Sequence, residues 1–177
     1  INYLIINNEI FTNESHLYKN LFFILIFAYF LNFTNKVFLG DSGSYLLGFI
    51  FSILLIGLYE SNKHISPFYI ILLVWYPCYE NLFSIIRKST LNRSTMRPDS
   101  NHLHQLIFYF IKKKMLLKIS HANLLSANLI NIYNLLVFLV SSSFISNTKI
   151  IIIFIMLNLV VYTVIYYKLF TYRYKKL

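Results

Sequence analysis

Long apolar runs separated by short polar segments dominate the chain. The runs occupy residues 21–33, 42–59, 67–86, 120–145 and 150–167. All but the first approach or exceed the roughly 30 Å of a hydrocarbon core when built as α-helix. The first run comes nearer to that length if its helix begins at Leu17, with Lys19 extending to the interface. The pattern predicts an all-α, polytopic integral membrane bundle with about five transmembrane helices, forming a single membrane domain over residues 1–177.

Polar and proline residues mark the expected ends and bends of these helices. Asp41 or Ser42 is a natural N-cap for the second span, and Ser120 for the fourth. Pro67 suits the first turn of the third span, and Pro77 should kink the same helix.

Three further segments do not fit a simple span. Residues 102–111 are too short to cross and precede three lysines, so we expect an interfacial helix there. Residues 168–177 are expected to form a basic tail. The fourth span carries four asparagines that we expect to face partner helices: Asn123, Asn128, Asn131 and Asn134.

Composition supports a membrane protein and argues against a nucleic-acid binder. The chain is 58% hydrophobic and only 12% charged, with a mean hydropathy of +0.61 and a net charge of +10. If the Asp41 loop is cytosolic, all but three of the 16 Lys and Arg residues lie on that side, as the positive-inside rule requires. The basic charge is therefore explained by topology. It also places the polar segments 36–44 and 87–105 on one cytosolic face.

The first polar motif is the segment Gly40-Asp41-Ser42-Gly43-Ser44, which opens the second span. Glycines allow close approach of a ligand, and a helix N-terminus favours phosphate. Asp41 supplies the hard oxygen that Mg²⁺ prefers, commonly together with substrate phosphates. The alternative is a capped helix start in which Asp41 only satisfies backbone donors.

The second polar motif is Arg97-Pro98-Asp99-Ser100-Asn101-His102-Leu103-His104-Gln105. Histidines two residues apart diverge on a regular helix but can converge from a loop. Histidine can bind metal, transfer a proton or pair with phosphate, and Arg93 and Arg97 could hold a diphosphate. The alternative is an ordinary positive-inside loop.

Glu80 lies near the end of the third span, where an ionisable group is costly and usually faces a site or a partner. Interfacial exposure of Glu80 is the alternative.

Together, V-F-L-G-D-S-G-S-Y-L-L-G-F and R-P-D-S-N-H-L-H-Q-L closely resemble the motifs of the polyprenyl-phosphate N-acetylhexosamine-1-phosphate transferases. This family includes the WecA-like and MraY-like enzymes of glycosyltransferase family 4. It is marked by an F-x-G-D-x-G-S loop and a later D-x-x-H-x-H-H loop. The resemblance covers residues from about 36 to 110 and implies the C-terminal portion of such an enzyme.

The resemblance implies a function. A UDP-linked N-acetylhexosamine would donate its sugar-1-phosphate to undecaprenyl or another polyprenyl phosphate and release UMP. This step initiates lipid-linked cell-envelope glycans such as cell wall or lipopolysaccharide. It implies Mg²⁺, with Mn²⁺ as an alternative, a bacterial inner membrane with a cytosolic active face, and no nucleic acid. A homodimer stays an open alternative.

The resemblance also implies site residues. Asp41 matches the family's metal-binding aspartate, and His102 and His104 match its first two histidines, so these three are the expected catalytic residues. The expected substrate-binding residues are Gly40, Ser42, Gly43, Ser44, Arg93, Arg97, Asp99 and Gln105.

The chain departs from the family pattern in three places. Gln105 replaces the third histidine, Glu80 stands near a family aspartate, and no adjacent-aspartate motif is present. We therefore expect a fragment that is inactive alone. The alternatives are a transporter, with Asp41 and Glu80 lining an ion path, and a non-catalytic membrane scaffold.

Overall fold

The computed structural model describes residues 14–34, 36–37, 39–90 and 100–175, with side chains from residue 19 onward. The helices, numbered here in chain order, are α1 (Glu14–Phe33), α2 (Gly40–Ser61), α3 (Pro67–Leu73), α4 (Trp75–Thr90), α5 (Leu103–Met115), α6 (Ile119–Ser141) and α7 (Thr148–Tyr174). A 3₁₀ turn, Ser142–Phe144, follows α6. Helices make up 86% of the structure, and the described ranges include no β-strand. The all-α prediction is confirmed.

Apolar helices long enough to cross a bilayer are present, as a multi-pass membrane protein requires. Three qualify by length and composition: Gly40–Ser61, Ile119–Phe144 and Thr148–Tyr174. A fourth span results if the bent pair α3 and α4 is counted as one. The apolar part of α1, Lys19–Phe33, is shorter than these. Of the five expected spans, α1 is the one that falls short.

The third predicted span is broken, not merely kinked. Helices α3 and α4 meet at an angle of 71°. Pro77 has no N–H to donate to the Leu73 carbonyl, and its ring would clash with that group in a continuous helix. The break therefore falls at Val74, and Pro77 is accommodated in the first turn of α4. Pro67 occupies the first turn of α3, as expected.

Contacts divide the chain into two compact units, residues 1–52 and 53–177, with the boundary inside α2. The single membrane domain stays a prediction. In the first unit, the Asn32 amide donates to the Val37 carbonyl at 3.1 Å, and the Lys36 N–H donates to the Leu31 carbonyl at 3.0 Å. These bonds fix the chain where it leaves α1.

The second unit packs around α7. Helix α5 packs on α6 and α7, and α3 packs on α7. The buried core contains Leu72, Trp75, Leu103, Leu106, Ile151, Tyr162 and Tyr166. Aromatic rings join α4 to α7, because Phe83 lies edge-on to Tyr166 with ring centroids 4.7 Å apart and Tyr79 to Tyr162 at 4.9 Å.

The second unit has two distinct ends. At one end the Ser66 N–H donates to the Ile145 carbonyl at 2.8 Å, and the Ser66 and Thr148 hydroxyls are 3.0 Å apart. At the other end, residues 100 and 101 contact the last turn of α7, a helix of 27 residues and about 40 Å. The turn that precedes Ser66 and the loop that ends at Asn101 are expected on opposite sides of the membrane. They thus lie at opposite ends of this unit.

Three predicted helix ends are wrong. Helix α2 begins at Gly40, so Asp41 and Ser42 lie in its first turn and neither is its N-cap. Helix α6 begins at Ile119, and its N-cap is Lys118, two residues before the predicted Ser120. Most of the expected basic tail is helical, because the apolar and aromatic face of α7 continues to Tyr174.

The predicted role of the asparagines is only partly met. Asn123 and Asn131 are exposed on α6, and the Asn128 amide donates to the Leu124 carbonyl of its own helix. One hydrogen bond between α6 and α7 is made by the Tyr133 hydroxyl, which donates to the fully buried Asn158 side chain.

Candidate functional site

Glu80 is the buried centre of a polar cluster beside the first half of α4. One carboxylate oxygen, Oε1, accepts the Leu103 backbone N–H at 2.9 Å and lies 3.0 Å from His102 Nδ1. Leu103 is the first residue of α5, so the carboxylate caps a helix N-terminus, where its charge is favourable. Glu80 thus faces a site, and the alternative of interfacial exposure is wrong.

The bond to Glu80 determines how His102 presents its ring. A carboxylate oxygen can only accept, so this contact is a hydrogen bond when His102 Nδ1 carries the proton, and the opposite nitrogen, Nε2, is then left for a ligand. The His102 side chain remains 25% exposed, whereas that of Glu80 is 11% exposed. The His102 ring can therefore reach a ligand on its exposed side while the Glu80 carboxylate fixes its buried side.

The two histidines converge, as expected for a loop-to-helix start. His102 is the N-cap of α5 with extended backbone angles (φ −72°, ψ 150°), so it is outside the helical periodicity. The His102 and His104 rings stack with centroids 5.8 Å apart and planes inclined by 18°. Two imidazoles are thus presented side by side.

Desolvation lowers the pKa of the His104 imidazole, and the neighbouring His102 lowers it further, while the Glu80 carboxylate partly opposes both. His104 is nonetheless an exposed residue, so solvent limits this shift. The direction of the pKa shift favours a neutral His104 at pH 7.

Gln105 contributes a cap to the same helix start. Its side-chain oxygen accepts the His102 backbone N–H at 3.2 Å. A residue that reaches back from the third helical position to the N-cap N–H holds that residue in place. The Gln105 side chain therefore helps to fix His102, a role that a histidine ring at this position would not perform in the same way.

Tyr76 and Tyr162 surround the other side of Glu80. Both tyrosines interact electrostatically with the carboxylate. Glu80 Oε2 and the two hydroxyls are buried and make no hydrogen bond of normal geometry within the described ranges. A cavity of about 250 Å³ adjoins them, lined by Trp75, Tyr76, Leu103, Ile107, Leu129, Ile130, Tyr133, Val161, Tyr162 and Ile165. Its lining is almost entirely apolar.

The last turn of α7 holds the residues that precede His102. The Arg173 guanidinium donates to the Ser100 backbone carbonyl, to the Ser100 hydroxyl at 3.2 Å and to the Asn101 side-chain oxygen at 3.2 Å. The Tyr174 hydroxyl donates to the same Asn101 oxygen at 2.9 Å. Sequence reasoning missed both residues, because a basic residue near a membrane helix end is already explained by topology.

The first motif lies in the other unit and is described by itself. Gly40 has φ +64°, in the left-handed region that disfavours other residues, and the Ser44 hydroxyl donates to the Gly40 carbonyl at 2.8 Å. Asp41 and Ser42 are exposed in the first turn of α2, and Gly43 lies against the Leu39 side chain. The motif therefore presents an accessible carboxylate at a helix N-terminus.

Three expected substrate-binding residues, Arg93, Arg97 and Asp99, lie outside the described residues. Within the described ranges, no three His, Cys, Asp or Glu side chains form a group able to hold a metal ion. Asp41 alone still fits Mg²⁺, which commonly takes one or two carboxylates and completes its shell with phosphate oxygens and water.

Comparison with known proteins gives two partial matches. A probable undecaprenyl-phosphate N-acetylglucosaminyl 1-phosphate transferase of Bacillus subtilis (strain 168) is 37% identical over 76 residues, which is 42% of this chain and 21% of that protein. The resemblance predicted from the two motifs is confirmed. An undecaprenyl-phosphate alpha-N-acetylglucosaminyl 1-phosphate transferase of Thermotoga maritima is 35% identical over 71 residues, 40% of this chain and 23% of that protein.

These transferase matches are limited in extent. The chain spans about a fifth of the length of these two transferases. No family model and no solved structure match it. The resemblance to the undecaprenyl-phosphate transferases therefore rests on the aligned part of the chain.

Proposed function

We propose that this chain is part of a membrane transferase that moves N-acetylhexosamine-1-phosphate from a UDP-sugar to undecaprenyl phosphate, with release of UMP. The observation that carries the proposal is the His102 and His104 pair, held by Glu80 at the start of α5 in a chain that resembles such transferases. The reaction would take place at the cytosolic face of a bacterial inner membrane.

Each residue of the cluster has a role that its contacts allow. His102 Nε2 would contact the diphosphate of the donor or the phosphate of the acceptor, with Glu80 fixing its orientation. A neutral His104 would accept a hydrogen bond or a proton beside it. Phosphoryl transfer depends mainly on positioning and on neutralising charge, which is what a fixed imidazole pair provides.

Asp41 would hold Mg²⁺ at the start of α2, where the helix N-terminus also favours phosphate. When bound, the ion would neutralise the charge of the donor diphosphate. The backbone N–H groups of Gly40, Asp41 and Ser42 precede the first intrahelical hydrogen bonds of α2 and would bind phosphate, and Gly43 and Ser44 would line the same site. Arg93, Arg97 and Asp99 complete the proposed substrate contacts.

The apolar cavity beside Leu103 supports a lipid acceptor. Leu103, which stands between the two histidines in the chain, lines this cavity, and its volume of about 250 Å³ and apolar lining suit part of an isoprenoid chain. An acceptor whose tail is in the bilayer and whose phosphate is at the interface would then reach His102 from the membrane side.

Membranes from cells that express the reading frame encoding this chain test the proposal. We expect Mg²⁺-dependent transfer of label from UDP-N-acetylglucosamine into an undecaprenyl-linked product, lowered at least tenfold by Asp41→Asn. Glu60→Gln is the matched control, because Glu60 is an exposed acidic residue at the other end of α2. Transfer that Asp41→Asn leaves unchanged would favour the scaffold alternative, and uptake of an ion or solute without transfer would favour a transporter.

A further inference from the structure

The last turn of α7 carries two side chains that converge on the loop before the histidine pair. Arg173 donates three hydrogen bonds to Ser100 and Asn101, and Tyr174 donates a fourth to Asn101. These contacts join parts of the chain that are more than 70 residues apart, with separations of 72 and 73 positions.

The geometry of Arg173 is specific. Its Nη1 reaches a backbone carbonyl and a side-chain amide oxygen, while Nη2 reaches a hydroxyl. The planar guanidinium can serve these acceptors at once, whereas a lysine ammonium is a point charge without a fixed fork. Its plane also lies over Tyr109 of α5, with 5.5 Å from Cζ to the ring centroid. The side chain is therefore held on two sides.

The residues that accept these hydrogen bonds come directly before His102 in the chain. Asn101 is buried, at 7% exposure, although it lies in a loop at the end of a membrane helix. A buried polar residue is stable there only when its hydrogen bonds are made. His102 follows it in the chain, so the position of Asn101 determines where the His102 backbone enters α5.

We infer that Arg173, assisted by Tyr174, is a positioning residue for the histidine pair. Helix α7 would fix residues 100–102 from one side, while Glu80 on α4 fixes His102 from the other. This inference rests on the proposed transferase function for its catalytic readout. The contact of Arg173 and Tyr174 with residues 100 and 101 is independent of that function.

Arg173→Met in the complete protein is the primary test, measured by steady-state kinetics and by amide hydrogen exchange over residues 100–106. Small displacements of a catalytic group cost up to about a hundredfold in rate. We expect kcat to fall roughly tenfold to a hundredfold, with KM for the UDP-sugar within about twofold. Exchange at the Leu103, Gln105 and Leu106 amides should become at least several-fold faster.

Two variants separate positioning from charge. Arg173→Lys keeps the positive charge but lacks the planar array of guanidinium donors. We therefore expect it to recover only a minor part of the kcat that Arg173→Met loses. Lys175→Met removes a cation from the same end of α7 and should leave both readouts unchanged, because the hydrogen bond of Lys175 to the described residues is that of its backbone N–H to the Thr171 carbonyl. Full recovery by Arg173→Lys, or an equal effect of Lys175→Met, would show that charge alone matters and overturn the inference.

Tyr174→Phe keeps the inference testable if Arg173→Met does not fold. It removes one hydrogen bond to Asn101 and should accelerate exchange at residues 100–106 by a smaller factor, without a change in the thermal unfolding temperature. Unchanged exchange in both variants would overturn the positioning role. Absence of transfer by the wild-type protein, with faster exchange in Arg173→Met, would instead count against the transferase function and leave the positioning contact standing.

Discussion

At the scale of single residues, Glu80 connects the bent helix pair to the histidines. One of its oxygens serves both His102 Nδ1 and the Leu103 N–H, so losing the carboxylate leaves two donors without an acceptor. Leaving a buried polar group unpaired costs about 1–3 kcal/mol. The two contacts explain how the buried Glu80 carboxylate is stabilised.

Replacing Glu80 by Ala should therefore lower the free energy of unfolding by about 1–3 kcal/mol and reduce transfer sharply. Glu80→Gln retains a side-chain oxygen for Leu103 N–H and should lose less stability, while still impairing transfer. Chemical unfolding in detergent and the transfer assay measure the two effects. Equal stability of the Ala variant and wild type would contradict the cap.

The pKa of His104 predicts a pH dependence of stability. Because that pKa is lowered in the folded state, the unfolded chain binds a proton more readily as the pH falls through the ordinary histidine value of about 6.5. Stability from this group is present above that pH and is lost below it. The unfolding temperature should drop between pH 7.5 and 5.5, and His104→Asn should make that drop smaller. A drop of the same size in both proteins would contradict the assignment.

The residues that could be predicted from the sequence are those whose motif is local. Asp41, His102 and His104 stand within short motifs, so their spacing indicated a site. The contact between Glu80 and His102 joins residues 22 positions apart in the chain. The contacts of Arg173 join residues more than 70 positions apart. Both kinds of contact depend on how the helices pack. No local pattern encodes such a distance. Gln105 departed from the family motif, and only the structure explains it, as a cap on His102.

At the scale of elements, the break between α3 and α4 determines the direction of Glu80. The 71° bend turns α4 away from the axis of α3, and the aromatic contacts of Phe83 and Tyr79 then seat α4 on α7. Proline predicted a disturbance in this span. The size of the bend could not be predicted, because it depends on the α7 surface that α4 packs against.

Pro77→Ala restores an N–H that can bond to the Leu73 carbonyl, so we expect a straighter pair. Spin labels at the exposed positions Ile71 and Leu82 should move farther apart, and transfer should fall because Glu80 leaves His102. Pro67→Ala is the matched control, since a proline in the first helical turn has no intrahelical bond to restore. Unchanged label distances in Pro77→Ala would contradict this account of the bend.

The bond between Tyr133 and Asn158 is the clearest polar link between α6 and α7. Hydrogen bonds between membrane helices are worth on average about 0.6 kcal/mol and up to about 1.7 kcal/mol. Tyr133→Phe should therefore lower the free energy of unfolding by that range. Tyr45→Phe, at a tyrosine that is 78% exposed, should leave the free energy of unfolding unchanged. A loss above about 3 kcal/mol would mean that Tyr133 does more than join two helices.

At the scale of the whole molecule, the distribution of charge predicts orientation. Within the second unit, Lys63 and Lys149 belong to the turns at the Ser66 and Thr148 end, while Lys112, Lys113, Lys114 and Arg173 belong to the end that carries the histidines. The sequence could predict this division, because positive charge is counted along the chain and needs no packing.

Cysteine labelling tests the orientation in a Cys78→Ser background. A cysteine at Lys113 should react with a membrane-impermeant reagent only from the cytosolic side, and a cysteine at Lys63 only from the opposite side. Reaction of both from the same side would contradict the predicted topology. Reaction of the cysteine at Lys113 only from the opposite side would place the histidine pair away from cytosolic UDP-sugars.

The most direct test of the central claim compares His102→Asn with His121→Asn in the transfer assay. His121 is an exposed histidine on α6 and has no place in the cluster. The account predicts that His102→Asn lowers both undecaprenyl-linked product and UMP release at least a hundredfold, while His121→Asn matches the wild type. Wild-type transfer by the His102→Asn protein would contradict the claim that this histidine pair is the catalytic site.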